Sequence, residues 1–150
     1  MDFHELKKKS VAERQQKTAR DFIFKELKIG ADIAKQYNDT LCPGSAIELW
    51  AVCKNSILGS DGLGEKGKQA EEVGKECALS LIEQVRSGAA VDKYAEDQLI
   101  PYMALAVEKG KSEIKVPKLT DHTKTNIWVV EKFLPVRFET KDNVIGCRKI

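Results

Sequence analysis

Between Gln69 and Arg86 the apolar residues Ala70, Val73, Cys77, Leu81 and Val85 recur every three or four positions. That period predicts an amphipathic helix over 69–86, ended by Ser87-Gly88, and a further element must cover its apolar side. A second helix is expected from Ser10 to about Leu27. Ser10 to Glu13 matches a capping box there, and Gly30 supplies a stop. Ala12, Ala19, Ile23 and Leu27 share its inward face, with Arg14, Lys17 and Arg20 on the other side.

Ala46 to Cys53 alternates instead. Ile47, Leu49, Ala51 and Cys53 share one parity, as in a half-buried strand, and Ile57-Leu58 is read as its hairpin partner. Ala31 to Asp39 alternates weakly and is read as a further strand. Downstream, a helix fits Asp92 to Glu108 with Gly110 as its stop, and a strand fits Lys111 to Val116. A fourth helix begins near Thr120, and Val136–Phe138 and Val144-Ile145 form two closing strands around a turn at Asp142-Asn143. This order mixes helices and strands without a clean βαβ repeat, so the fold class is α+β, with a junction between two halves at Gly88–Val91.

Among 150 residues, 25 Lys and Arg against 23 Asp and Glu leave a formal charge of +2, so a polyanionic partner must be held by local clustering. No apolar run is long enough to span a bilayer, and Met1 to Lys9 lacks the pattern of a secretory leader. Cys42, Cys53, Cys77 and Cys147 include no CxxC pair, which argues against zinc and fits reduced thiols in a soluble cytoplasmic protein.

Three features invite chemistry. Gly62-Leu63-Gly64-Glu65-Lys66-Gly67 matches GxGxxG, but Glu71 and Glu72 would meet a pyrophosphate at the following helix start, and Ile57-Leu58 is a weak first strand. A flexible loop with Lys66 and Lys68 exposed is the preferred reading. On the helix from Asp92, Tyr94, Asp97, Gln98 and Pro101 lie on one polar face, beside a proline that should bend the helix, while Ala95, Leu99, Tyr102 and Ala106 face the core. A solvated face is the plain alternative.

His122 falls in the first turn of the last long helix, capped by Thr120 or Asp121. Free N–H groups and the positive dipole end there suit a phosphate, and the same field favours an uncharged imidazole able to attack phosphorus or act as a base. A capping or packing histidine is the alternative. His4, in a polar segment, is read as solvated. Lys7, Lys8, Lys9, Arg14, Lys17 and Arg20 make a basic stretch that could touch RNA backbone or simply face water.

Five segments, SVAERQ (Ser10–Gln15), PGSAIELWA (Pro43–Ala51), LGEKGKQAEEVG (Leu63–Gly74), SGAAVDKYAEDQLIPYMALA (Ser87–Ala106) and LTDHTKTNIWVVEKFL (Leu119–Leu134), resemble in order the C-terminal part of RNA 3'-terminal phosphate cyclases. The resemblance implies an ATP-dependent ligase that converts an RNA 3'-phosphate into a 2',3'-cyclic phosphate. His122 matches the histidine that captures AMP from ATP. The AMP then passes to the RNA 3'-phosphate, and the neighbouring 2'-hydroxyl closes the ring and releases it. Tyr94, Asp97 and Gln98 match nucleotide-site residues: Tyr94 and Gln98 would hold adenosine or phosphates, and Asp97 would orient His122 or support metal. Mg2+ or Mn2+ is implied as a helper, with its ligands unassigned.

The resemblance also implies an organisation. Residues 1–88 correspond to a small inserted α/β domain, and residues 89–150 to the C-terminal part of the catalytic domain. The latter belongs to a repeated unit with a four-stranded sheet and two helices. The family's chains are more than twice as long, so a missing N-terminal portion, or a homo-oligomer, is an expected partner beside RNA. A non-catalytic cyclase-like protein in RNA processing or ribosome assembly is the alternative, as is a dimerisation module.

Overall fold

The computed structural model describes residues 3–150, with side chains from Leu6 onward, so His4's environment lies outside the described side chains. The chain forms two compact units. One runs through Ala51 and resumes over Gly59–Glu83, and the other takes Val52–Leu58 and Gln84–Ile150. Elements of both helix and strand type make the α+β class explicit.

The first unit opens with α1 (Phe3–Lys8), a short helix that its polar sequence did not suggest, followed by α2 (Val11–Leu27). Ser10 precedes α2, but it adopts φ 49° and ψ 45° and its side chain caps nothing. The capping box therefore does not form. Glu13 accepts a hydrogen bond from the Tyr37 hydroxyl at 2.6 Å instead, which holds its carboxyl below the usual carboxylate range. At the other end the left-handed residue is Lys28, not Gly30; its N–H returns to the Phe24 carbonyl at 3.0 Å.

The stretch 31–39 is not a strand. Side chains of α2 take its carbonyls: Gln16 Nε2 donates to the Ile33 oxygen, and Arg20 Nε to the Ala31 oxygen at 3.2 Å. A backbone satisfied in this way has less need of a strand partner.

The hairpin strands β1 (Ala46–Val52) and β2 (Ile57–Leu63) form a two-stranded sheet, turned by the Cys53 N–H on the Ser56 carbonyl at 2.8 Å. Strand β2 continues to Leu63, so the first glycine of GxGxxG lies within a strand and the loop is shorter than the motif. A Cβ on Gly62 would stand 3.3 Å from both Val73 and Cys77, so this glycine serves close strand–helix packing. Lys68 is only partly exposed and pairs with Glu76 at 2.6 Å.

Helix α3 (Ala70–Ser87) buries Val73, Cys77, Ala78 and Leu81, as its period requires, and ends at Gly88 with φ 64°. Gly74 meets α2 so closely that a Cβ would collide with the Gln15 backbone.

The second unit holds α4 (Ala95–Leu105), a 3-10 turn over Ala106–Lys109, β3 (Ser112–Lys115), α5 (Asp121–Phe133), β4 (Val136–Lys141) and β5 (Val144–Lys149). Its sheet runs β3-β5-β4, antiparallel throughout. That is three strands and two helices, where the implied complete repeat has four strands. Asp142 and Asn143 both take positive φ, 51° and 61°, which suits the tight β4–β5 hairpin.

Ile100, Met103, Ala104, Val116, Val136, Phe138, Ile145 and Cys147 form the core, with Ile127, Val130 and Leu134 of the α5 region packed against it. The inward face of α4 is thus not the one expected. Tyr102 and Ala106 are exposed, and Glu96, Ile100, Met103 and Ala104 point inward.

A substitution tests the α2–α3 crossing. Gly74→Ala should destabilise the protein by about 1–3 kcal/mol, since backbone cannot yield as a flexible side chain does. Gly44→Ala has open space around the new methyl and should leave the urea midpoint nearly unchanged.

Candidate functional site

Helices α4 and α5 lie together in the second unit, and their N-terminal ends are tied by three contacts. Glu96, fully enclosed on α4, accepts from the Thr120 N–H at 3.0 Å and from the Thr123 hydroxyl at 2.7 Å, both through Oε1. One turn further along, Asn126 Nδ2 donates to the Asp97 carbonyl at 3.1 Å. The start of α5 is therefore held beside the start of α4.

Local chemistry prepares both ends. Asp92 Oδ1 accepts from the Tyr94 N–H at 3.0 Å and the Ala95 N–H at 2.8 Å, satisfying donors that the first turn of α4 leaves free. At α5 the cap is Thr120, not Asp121. Its hydroxyl accepts from the Thr123 N–H at 3.2 Å and meets the Thr123 hydroxyl at 2.9 Å. Asp121 stands in the first turn and pairs with Lys124 at 2.8 Å. That ammonium, with a smaller contribution from His122, holds the Asp121 carboxyl below the usual carboxylate range.

The outcome is an open cleft of about 430 Å³ lined by Lys93, Tyr94, Asp97, Gln98, Thr120 and His122. All four residues singled out in the sequence thus face one space. Pro101, the fourth member of the polar stripe, lies outside its lining. His122 and Gln98 are exposed, and Tyr94 is 43 % exposed, so none is a packing residue. Gln98 Nε2 donates to the Tyr94 carbonyl at 2.9 Å, and the Lys93 ammonium lies 4.8 Å from the centre of the Tyr94 ring. Asp97 and His122 share the cleft, but no hydrogen bond joins them among the described residues, so an orienting contact from Asp97 is not formed in this state.

Three contributors escaped the sequence reading. Lys93 adds a cation beside the stripe. Asn126 ties α5 to α4. Glu96 was hidden because it is charged, although counting back in fours from Ala104 and Ile100 places it on the inward face.

A second cavity, about 730 Å³, lies in the first unit around Pro43–Ser45, Gly64–Ala70 and Arg14. It is larger, but volume does not decide the matter. Its lining includes no His, Cys or Tyr, and two of its cations are already paired, Arg14 with Glu71 at 2.6 Å and Lys68 with Glu76. The basic N-terminal stretch is likewise partly committed to the fold through Arg14 and Arg20. The His122 cleft combines an imidazole, a cation, an aromatic ring and a helix start, groups of the kind that can bind and react with a nucleotide. Among the described residues no group of three or more His, Cys, Asp or Glu could hold a metal ion, and none of the helices is long and apolar enough to cross a membrane.

Comparison with known proteins places this cleft in context. Residues 4–86 match the family model of the RNA 3'-terminal phosphate cyclase insert domain. Over 134 residues the chain is 48% identical to the RNA 3'-terminal phosphate cyclase of Pyrococcus furiosus, covering 89% of this chain and 38% of the relative.

The chain belongs to the RNA 3'-terminal phosphate cyclase family.

The cyclase of Thermococcus onnurineus is 44% identical with the same coverage, and that of Methanopyrus kandleri is 44% identical over 137 residues, 87% of this chain and 38% of the relative. The chain thus spans about 38% of the length of the curated cyclases it matches. The insert-domain match takes in α2, the β1–β2 hairpin and nearly all of α1 and α3. The cleft of Lys93, Tyr94, Asp97, Gln98 and His122 lies beyond it in sequence.

The cap that presents His122 can be tested directly. Thr120→Ala removes the hydroxyl that accepts from Thr123 and should cost about 1 kcal/mol in urea unfolding. Amide exchange should accelerate first at Thr123, before the β5 amides respond.

Proposed function

We propose that this chain carries the adenylate-accepting part of an RNA 3'-terminal phosphate cyclase. In this reading His122 is the nucleophile, Tyr94 and Gln98 hold the nucleotide, and Lys93 faces its phosphates. The observation that carries the proposal is the convergence of a histidine at a helix start with the Tyr94–Gln98 stripe on one cleft. The names of the relatives supply the substrate class, an RNA with a 3'-phosphate end.

The first step follows from the chemistry of the groups. A ring nitrogen of His122 attacks the α-phosphorus of ATP, a nitrogen–phosphorus bond forms, and the bond to pyrophosphate breaks with pyrophosphate leaving. The start of α5 sets backbone dipoles and a capped first turn against the phosphates. Lys93 supplies a point charge where negative charge accumulates. Transfer of AMP to an oxygen of the RNA 3'-phosphate restores the imidazole. Attack by the 2'-hydroxyl then closes the cyclic phosphate and expels AMP.

The described residues offer no metal cage of their own. A divalent cation would arrive on the nucleotide phosphates, as magnesium commonly does, and no step is assigned to it. The division into an insert-like domain over 1–88 and a catalytic portion over 89–150 is part of the same proposal. So is completion of the pocket by further cyclase sequence, in the same polypeptide or a separate one.

The test is covalent labelling. The chain is incubated with ATP labelled at the α-phosphate and Mg2+ or Mn2+, alone and with the upstream portion of a relative's cyclase. Label should join the protein through an acid-labile, alkali-stable bond and fall to background in His122→Ala. Label that persists in His122→Ala places the acceptor elsewhere.

A further inference from the structure

We propose that Glu96 is the positioning residue of the His122 site, acting as the buried acceptor that fixes the first turn of α5 against α4. This deepens the proposed reading of His122 and rests on it only for its catalytic consequence.

Glu96 is completely buried in a core otherwise made of Ile100, Met103, Ala104 and their neighbours. A carboxyl group there is costly unless its oxygens find donors. Only Oε1 does. Its donors are the Thr120 N–H and the Thr123 hydroxyl, one at the cap of α5 and one in its first turn, on either side of His122 in sequence. Oε2 is buried with no partner among the described residues. A side chain kept for stability alone would be better replaced by an apolar one of similar volume, since half of its hydrogen-bonding capacity is unused.

Proton counting shows what the group does. Thr123 N–H donates to Thr120 Oγ1. Thr123 has one hydroxyl proton, and the 2.7 Å contact directs it to Glu96. The 2.9 Å contact between the two threonine hydroxyls must therefore use the Thr120 proton, with Thr123 Oγ1 accepting. Every hydroxyl proton points along one chain that terminates on Glu96 Oε1. Opening the capped turn breaks the bond from the Thr123 hydroxyl to Glu96, the acceptor that its full burial calls for. His122 projects from this turn into the cleft, so its ring is held by an acceptor on the neighbouring helix that touches neither the ring nor the cleft.

Two pairs of variants test this in the 150-residue chain, with the upstream portion of a relative's cyclase added for the capture assay. Glu96→Gln retains an oxygen acceptor at the same reach, whereas Glu96→Ala removes it. Thr123→Ser retains the hydroxyl, whereas Thr123→Val removes it at nearly constant volume. Amide exchange at Thr120 and Thr123, the His122 ring signals in NMR spectra, and the rate of adenylate capture from ATP are measured for each.

Glu96→Ala and Thr123→Val should accelerate Thr120 or Thr123 exchange by about tenfold relative to Ile145. They should shift the His122 ring signals and lower the maximal capture rate by about tenfold, with the ATP concentration for half-maximal rate nearly unchanged. Glu96→Gln and Thr123→Ser should restore most of each. The Thr123 pair keeps the test informative should Glu96→Ala not fold.

Loss of protection at Ile145 equal to that at Thr120, or His122 signals indifferent to both truncations, overturns the assignment. A wild-type chain that takes no label even with the upstream portion of a relative's cyclase present, while the truncations still move the His122 ring, would reject His122 as adenylate acceptor but leave Glu96 as its anchor. A labelled chain whose rate ignores both truncations rejects the anchor and keeps the acceptor.

Discussion

A single buried carboxyl oxygen governs the geometry of the second unit. Glu96 Oε1 collects two donors from the start of α5, and burial makes the bond from Thr123 an obligation, because neither that hydroxyl nor the Glu96 oxygen can turn to water instead. The Asn126 bond to the Asp97 carbonyl adds a second tie one turn later. With two fixed points, α5 can neither slide nor rotate freely against α4. His122 and the Tyr94–Gln98 stripe consequently line one cleft, and the apolar residues below pack on the β3-β5-β4 sheet.

The first unit is organised by close approach rather than by a buried acidic side chain. Gly74 lets two helix backbones come nearer than a side chain would allow, and Gly62 leaves room for close strand–helix packing. Gln15, also buried, turns its amide onto the Ser45 hydroxyl at 3.1 Å. The glycine-rich stretch that resembles a dinucleotide fingerprint is explained by packing at its first position and needs no pyrophosphate. Much of the nearby positive charge is already neutralised by Glu71 and Glu76.

The sequence was legible where one periodicity dominated. Helix α3 and the β4–β5 hairpin follow from apolar spacing and turn residues alone. It was less legible where side chains took over backbone partners. Tyr37, Gln16 and Arg20 displaced a capping box and a strand that local rules favoured. The face of α4 was misassigned because Tyr102 and Leu99 look apolar and Glu96 does not, yet Glu96 is the residue with buried donors waiting for it. The polar stripe was readable from its spacing. Its meeting with His122, more than twenty positions away, was not, since no local rule specifies which helix ends adjoin; the family resemblance supplied that link.

The most direct test of the shared cleft is an ATP titration of the isotopically labelled chain followed by amide NMR. Shifts concentrated at residues 93–98 and 120–124 are predicted. Shifts confined to residues 64–70, around the larger cavity of the first unit, with none at the starts of α4 and α5, would contradict the account.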